Sequence, residues 1–502
     1  MSSDQIEEEP LWVPGTIALE DVHNTRVILF PTPSTDPDDP LNWSTARKAL
    51  NYTIVSLFIL FTFVELDIGF TAWGQMQLHA RKYGRRPIYI LASNAEVYTF
   101  GNYIGANLVS GLGGAISEVI VQMTVADISF VHHHGTMNGL FVLFESIGAF
   151  LGPVASGYIV QSQGWRWTWW WCVIFFGIIL VCVIFLFEES KFVPILDAQD
   201  ISPAARRVTA VEYPESSRAP KAKRPSDDKK GIIKSVVTYD APCPEFKSKT
   251  YLQRMAFVTP SSESIWSHAW YPIITLFTFP AVSYTAIIYG STLCWFAVMT
   301  SLQATYMLLP PYNFSSIGVG LMNVAPIIGG LLGFPFSGYL SDRSIIWLSK
   351  KNGGIYEPEI RLWLLLPMII LGPGSILMFG LGLAYGAHWS VLAIGYGIYG
   401  FVFSSAGGLS LSYLMDCYQD IIGDTLVGVV FVRNVISVVV LFALTPWVDG
   451  MGLRNLHILL AVLAFCIYSL PIALLIWGKK ARAATASTYR EMAASQVDHR
   501  AV

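Results

Sequence analysis

Charge is what this sequence has least of. Only 13% of its 502 residues are charged and 53% are hydrophobic, about half the charged share of an ordinary soluble domain, with a mean hydropathy of +0.49. A soluble globular chain is excluded, and an integral membrane protein is implied. Cysteine is scarce as well. Cys172, Cys182, Cys243, Cys294, Cys417 and Cys466 show no paired spacing, and five of the six fall in apolar stretches; neither a disulfide framework nor a zinc site is expected. No G-x-x-x-x-G-K-S/T loop occurs, so ATP does not drive the protein directly. The opening MSSDQIEEEP lacks an apolar core with a cleavage site, which argues against a signal peptide and leaves insertion to the first span. No constellation of residues supports an enzyme, a cofactor or nucleic-acid binding.

What is present is a series of long apolar runs. About 20 residues cross roughly 30 Å of hydrocarbon, and ten stretches reach that length: 49–77, 98–126, 137–162, 167–187, 271–303, 314–338, 362–386, 389–415, 421–447 and 453–477. Each is expected to be helical, since a lone span in lipid must satisfy its backbone internally. The domains follow: a polar tail (1–48), a helix bundle (49–188), a hydrophilic loop (189–270), a six-helix bundle (271–478) and a second tail (479–502). Lys and Arg cluster before the first span, in the central loop, at 343–361 and after the last span, which puts both termini and the central loop in the cytoplasm. One segment breaks this pattern. HARKYGRRPIYILASN (79–94) carries Arg81, Lys82, Arg85 and Arg86 where an extracellular loop is expected.

In GLFVLFESIGAFLGPVASG, Gly139, Gly148, Gly152-Pro153 and Gly157 resemble the antiporter motif in the fifth helix of drug:H⁺ antiporters of the major facilitator superfamily, with Ser156 where that motif has Gly. A Gly-rich packing face is the plainer reading of the same residues. Gly338-Tyr339-Leu340-Ser341-Asp342-Arg343 resembles the superfamily's loop signature G-x-L-x-D-R; a capping Asp with a positive-inside Arg is the alternative. KYGRRP, with Gly84, Arg85 and Arg86, looks like the N-terminal copy of that signature without its carboxylate. PTPSTDPDDPLNW (31–43), GWRW (164–167), FEES (187–190), PPYNFS (310–315), SYLMDCYQD (412–420) and VVFVRN (429–434) are similar to fungal members.

The resemblance implies an all-α major facilitator fold of two helix bundles, with about 10 transmembrane helices instead of 12. Helix two is absent between Gln77 and Leu78, and most of helix three between Asn94 and Glu96. A short half-helix at 86–97 that re-enters the membrane is the alternative arrangement. The resemblance also implies a secondary transporter of a small organic compound, a monomer in the plasma membrane in the family's manner, exporting its substrate against protons by alternating access. Uptake of a nutrient or organic cation, or a relic or sensor that does not transport, are the other readings.

Ionisable groups inside spans are costly and mark substrate or proton pathways. Glu118 and Gln122, four residues apart, share a face of helix four; Glu145 stands in helix five just before Gly148. Glu65 and Asp127, near helix ends, are expected to pair or reach the interface. Asn107 occupies the place where the antiporters carry an arginine. Tyr284, Tyr289, Trp295 and Gln303 are candidate cavity-lining groups of the seventh helix, and Asp416, Asp424 and Arg433 a candidate Asp–Arg pairing at a helix interface. His132, His133 and His134 are expected on a solvated loop, not around a metal. Sequencing the transcript across positions 77 and 94 tests the shortened N-terminal half: about 40 to 50 additional residues, two spans' worth, would show that the helices are encoded and this chain is a shortened product.

Overall fold

The computed structural model describes residues 13–18, 31, 36, 38–69, 108–190, 251–255 and 265–495. The basic stretch 79–94 with Gly84, Arg85 and Arg86, together with Asn107 and most of the central loop, lies outside the described residues. Apart from one two-stranded sheet, the described residues are built of helices.

Helix α1 (Thr45–Asp67) begins where the Ser44 hydroxyl accepts the Arg47 N–H, a serine N-cap ahead of an apolar run. Helices α2 (Ile116–Ile128), α3 (His134–Ser162) and α4 (Arg166–Leu186) follow. The stretch expected as one span at 271–303 is two helices, α5 (Ile265–Thr278) and α6 (Pro280–Tyr306). Pro280 has no N–H to continue the ladder and sits in the first turn of α6, after an extended Phe279.

Helices α7 (Ser316–Met322) and α8 (Val324–Pro335) lead through 336–340 into α9 (Ser341–Lys351). A 3-10 stretch, Pro358–Leu365, opens the pass completed by α10 (Met368–Ala384), and α11 (Trp389–Cys417) follows. The long α12 (Ile422–Tyr468) breaks at Gly452, φ +75°, into 422–451 and 453–468; the second part runs on into α13 (Leu470–Ala484) and α14 (Ala486–Ser495). Among the described residues nine helices are long and apolar enough to cross a membrane. The break at Gly452 divides the last of them in two, which gives the expected ten passes.

The N-terminal set of helices (α1–α4) and the C-terminal set (α5–α13) meet along α3. Its glycines make the approach possible, because two backbones cannot come this close across side chains. A Cβ on Gly148 would collide with the Leu60 carbonyl of α1, and one on Gly152 would lie 2.9 Å from that of Val64. One on Gly157 would lie 2.8 Å from the Ser316 carbonyl, and Gly320 of α7 meets the Pro153 carbonyl at the same distance. Between Gly148 and Gly152, Phe150 inserts edge-on between Phe296 of α6 and Tyr396 of α11, with centroids 4.9 and 5.7 Å away. By contrast α4 leaves Trp170, Val173, Ile178 and Phe185 exposed, an apolar face suited to lipid.

The tightest crossing joins α8 to α11, where Gly329 abuts the Gly397 carbonyl and Gly400 the Pro326 carbonyl. Gly329→Val forces these backbones apart and is expected to cost about 3 kcal/mol or more. The measurement is the monodisperse yield and the melting temperature in detergent, both of which fall.

Candidate functional site

Four of the sequence candidates converge at one depth. Glu145 stands 11 residues into α3, Tyr289 nine into α6, Arg433 eleven into α12, and Glu118 ten before the end of α2. At 1.5 Å per residue each lies about 15 Å from the helix end concerned, half the thickness of a bilayer core.

They form a chain of contacts. The Glu118 carboxylate accepts a hydrogen bond from Arg433 Nη1. The Arg433 guanidinium lies 5.5 Å from the centroid of the Tyr289 ring, within range for a cation–π attraction. The Tyr289 hydroxyl donates to Glu145 Oε1 at 2.7 Å. Two members come from the N-terminal set and two from the C-terminal set, so the cluster spans the seam. Arg433 answers one carboxylate and leaves the other in excess. Glu145 is fully buried, and its Oε2 has no hydrogen-bond partner.

Gln122, one turn along from Glu118, is buried with both ends of its amide unpartnered. Tyr284 packs edge-on against Tyr413 at 5.9 Å, its hydroxyl unpaired, and the buried Trp295 leaves its Nε1 unpaired. Gln303 stands about 21 Å along α6 from Tyr289, where its amide donates to the Val319 carbonyl at 2.9 Å. It ties α6 to α7 and takes no part in the central cluster. Glu65 accepts from Ser110 at 2.6 Å and Asp127 from Ser190 at 2.8 Å.

A second cluster closes the end of the molecule at which α1 and α3 begin and α11 and α13 end. Its hub is Arg361, fully buried in the 3-10 stretch after β2 (Ile355–Tyr356). Arg361 donates to Asp416 Oδ2 at 2.6 Å, to the Ser341 hydroxyl at 2.8 Å, to Asp342 Oδ1 at 3.3 Å and to the Val131 carbonyl at 3.2 Å. Asp416 also pairs with His134 Nδ1 at 2.8 Å and accepts from the Tyr356 hydroxyl. Burial, and then the neighbouring Asp416 carboxylate, push the Tyr356 phenol well above its ordinary value, so it remains a donor across the physiological range. Asp342 takes the backbone N–H groups of Gly135 and Thr136 at 3.0 and 2.8 Å and the Thr136 hydroxyl at 2.6 Å. These are free donors at the positive end of α3. Gly338 packs on the Thr136 backbone.

Three sequence expectations need correction here. Arg433 bonds Glu118, on the other set of helices, in place of Asp416 or Asp424. Asp342, whose plainer reading is a capping Asp, binds Arg361 and the first N–H groups of α3 and does not cap its own helix, while its neighbour Arg343 is exposed and lies over the Tyr339 ring at 5.2 Å. His134 is buried and bonded, not solvated, because α3 starts three residues earlier than its apolar pattern indicates. Arg361 and Tyr356 are further residues of this cluster that the sequence did not single out, and His134 is one it placed on a loop. Arg361 reads as one more positive-inside cation, and only its place just ahead of an apolar run could have marked it.

The fold and the two clusters define a multi-pass membrane protein with a polar centre shared between two sets of helices. A family profile described as the Major Facilitator Superfamily matches residues 41–439. An uncharacterised MFS-type transporter of Schizosaccharomyces pombe is 31% identical over 518 aligned positions, covering 92% of this chain and 89% of its own. Protein HOL1 of Saccharomyces cerevisiae is 27% identical, over 96% of this chain and 97% of its own. The efflux pump radE of Floropilus chiversii is 25% identical over 76% of this chain and 63% of its own. The chain belongs to the Major Facilitator Superfamily, and with it to the secondary active transporters.

Removing one partner of a buried ion pair strands the other charge, at a cost of about 3–5 kcal/mol. Arg433→Ala is therefore expected to lower the melting temperature in detergent sharply. The double variant Glu118→Gln/Arg433→Gln, which strands no charge, recovers most of the loss.

Proposed function

We propose that this protein exports a small organic compound in exchange for protons by alternating access, with Glu145 as the proton-carrying group. The observation that carries the reading is the buried Oε2 of Glu145, without a hydrogen-bond partner, on the N-terminal helix along which the two sets meet. A carboxyl in such a place is held by a proton or by a cation on that oxygen. The two occupants therefore exclude one another, which is the coupling an antiporter needs. Its other oxygen is held by Tyr289 of the opposite set, so occupancy of Glu145 bears on how the sets fit together.

Export is supported by the glycine pattern of α3, which resembles the antiporter motif, and by the likeness to a protein named an efflux pump. The distribution of Lys and Arg supports a cytoplasmic location for the end closed by Arg361, with both termini there and 189–270 as a cytoplasmic loop between the domains. On that orientation the molecule is shut toward the cytoplasm. A surplus carboxylate at the centre also suits uptake of an organic cation, the second reading.

The absence of helix two and most of helix three finds support in the alignment with the Schizosaccharomyces pombe relative. About 462 residues of this chain enter its 518 positions, so about 56 have no counterpart here, against about 40 residues for two spans.

Flux in reconstituted vesicles tests the proposal, with ethidium as the probe and a pH-sensitive dye inside. An imposed proton gradient is expected to accelerate ethidium movement at least tenfold. Glu145→Gln, which can hold neither a proton nor a cation on that oxygen, removes that acceleration and the accompanying proton flux and sharply reduces ethidium exchange at equal pH. Gradient-driven flux that survives Glu145→Gln would assign the proton to another group, and an absence of flux with a panel of organic cations, anions and neutral compounds would favour the non-transporting form.

A further inference from the structure

We infer that the face formed by β2, Pro358 and Arg482 is a docking site for the chain's own segment 13–18, and that the seated segment holds this end of the molecule closed. The inference rests on the alternating-access reading for its consequence, though not for its geometry.

The segment is bound in four ways. Strand β1 (Ile17–Ala18) pairs antiparallel with β2, Ile17 opposite Tyr356 and Ala18 opposite Ile355. A short exposed strand is a ready template for an extended peptide, because its N–H and C=O groups seek partners. The Pro14 carbonyl accepts from Arg482 Nη1. Arg482 is itself 1% exposed and forked onto Glu359, Nε to Oε1 at 2.9 Å and Nη2 to Oε2 at 2.5 Å, so its Nη1 is aimed at a fixed point. Gly15 has φ +76°, and a Cβ there would lie 2.5 Å from the Asp416 carbonyl and 3.0 Å from Cys417 Cα and the Pro358 ring. Both the conformation and the clearance require glycine. Ile17, finally, packs on the small cluster of Val131, Ile345 and Tyr356.

That last contact gives the docking its consequence. Val131 belongs to the N-terminal set and stands just before α3, while Ile345 and Tyr356 belong to the C-terminal set. Tyr356 also donates to Asp416, the residue that accepts from Arg361 and pairs with His134 of α3. The segment thus covers the seam and buttresses the tyrosine that helps to fix the hub. When the two sets swing apart at this end, Ile17 must leave Val131 or Tyr356. The linkage to α1 does not by itself force release, since an extended chain reaches about 3.3 Å per residue and residues 19–44 intervene. The seated segment therefore acts through its contacts, as a strap that favours the closed form.

Hydrogen–deuterium exchange of the full-length protein in detergent tests both parts, without a transport assay. Variants lacking residues 1–18, carrying Gly15→Val or carrying Ile17→Asp are each expected to exchange the Tyr356 amide at least tenfold faster, the Ile355 N–H being bonded to the Asn352 carbonyl of its own turn. The Gly135 and Thr136 amides, which are bonded to Asp342, are expected to speed up with them while α8, α10 and α11 stay protected. A synthetic peptide of residues 11–20 added to the deletion variant restores protection at both places. Unchanged exchange at Tyr356 in all three variants would overturn the docking. Faster exchange there with unchanged Gly135 and Thr136 would overturn the role in closure. Failed ethidium transport with the expected exchange pattern would count against the transport reading alone.

Discussion

A charge taken out of water must find its opposite within the protein, and the architecture of this chain follows from that requirement. Among the described residues three arginines are buried, Arg361, Arg433 and Arg482, and each meets a carboxylate from another helix or segment. Arg482 with Glu359 ties the end of the last pass to the stretch before α10. Arg361 gathers Asp342 and Asp416, and through them α3 of the N-terminal set. Arg433 reaches Glu118 across the centre. Desolvation makes these pairs expensive to build and more expensive to break singly. They act as registers that fix which helices face which.

Glycine supplies the other half of the arrangement. Ion pairs of about 3 Å between helices require axes close enough for short side chains to meet, and α3 is brought to α1 and α7 by Gly148, Gly152 and Gly157. The same helix carries Glu145 at its middle and offers the free N–H groups of Gly135 and Thr136 to Asp342 at its start. One helix therefore joins the central carboxyl to the closed end as a rigid body. The two clusters stand about 15 Å apart on one α-helix.

Much of this was legible in the residues taken singly. The ten passes, the interruption between 447 and 453, the glycine face of α3 and the presence of Glu118, Glu145, Tyr289 and Arg433 inside the spans all follow from hydropathy, chain length and the cost of charge in lipid. Those properties are local, and neighbours a few residues away determine them. Where local reasoning misjudged an element, a backbone effect was responsible: Pro280 divides a stretch whose apolar run is continuous, and α3 extends past its apolar pattern to take in His134.

The pairing of those residues was not legible. Glu118 and Arg433 stand 315 positions apart, and His134 and Asp416 stand 282 apart; an acid near in sequence, such as Asp424 or Asp416, looks an equally good partner for Arg433 until the helices are placed. Which oxygen of Glu145 stays free, and which residue completes the hub on Arg361, depends on the crossing of helices from opposite ends of the chain. The sequence by itself determined that this is a many-helix membrane protein and which few groups inside it carry charge, because burial in lipid selects residues one at a time. The tertiary structure alone decided how those charges are shared between the two sets, because an ion pair is a relation between two positions and only packing brings them within reach.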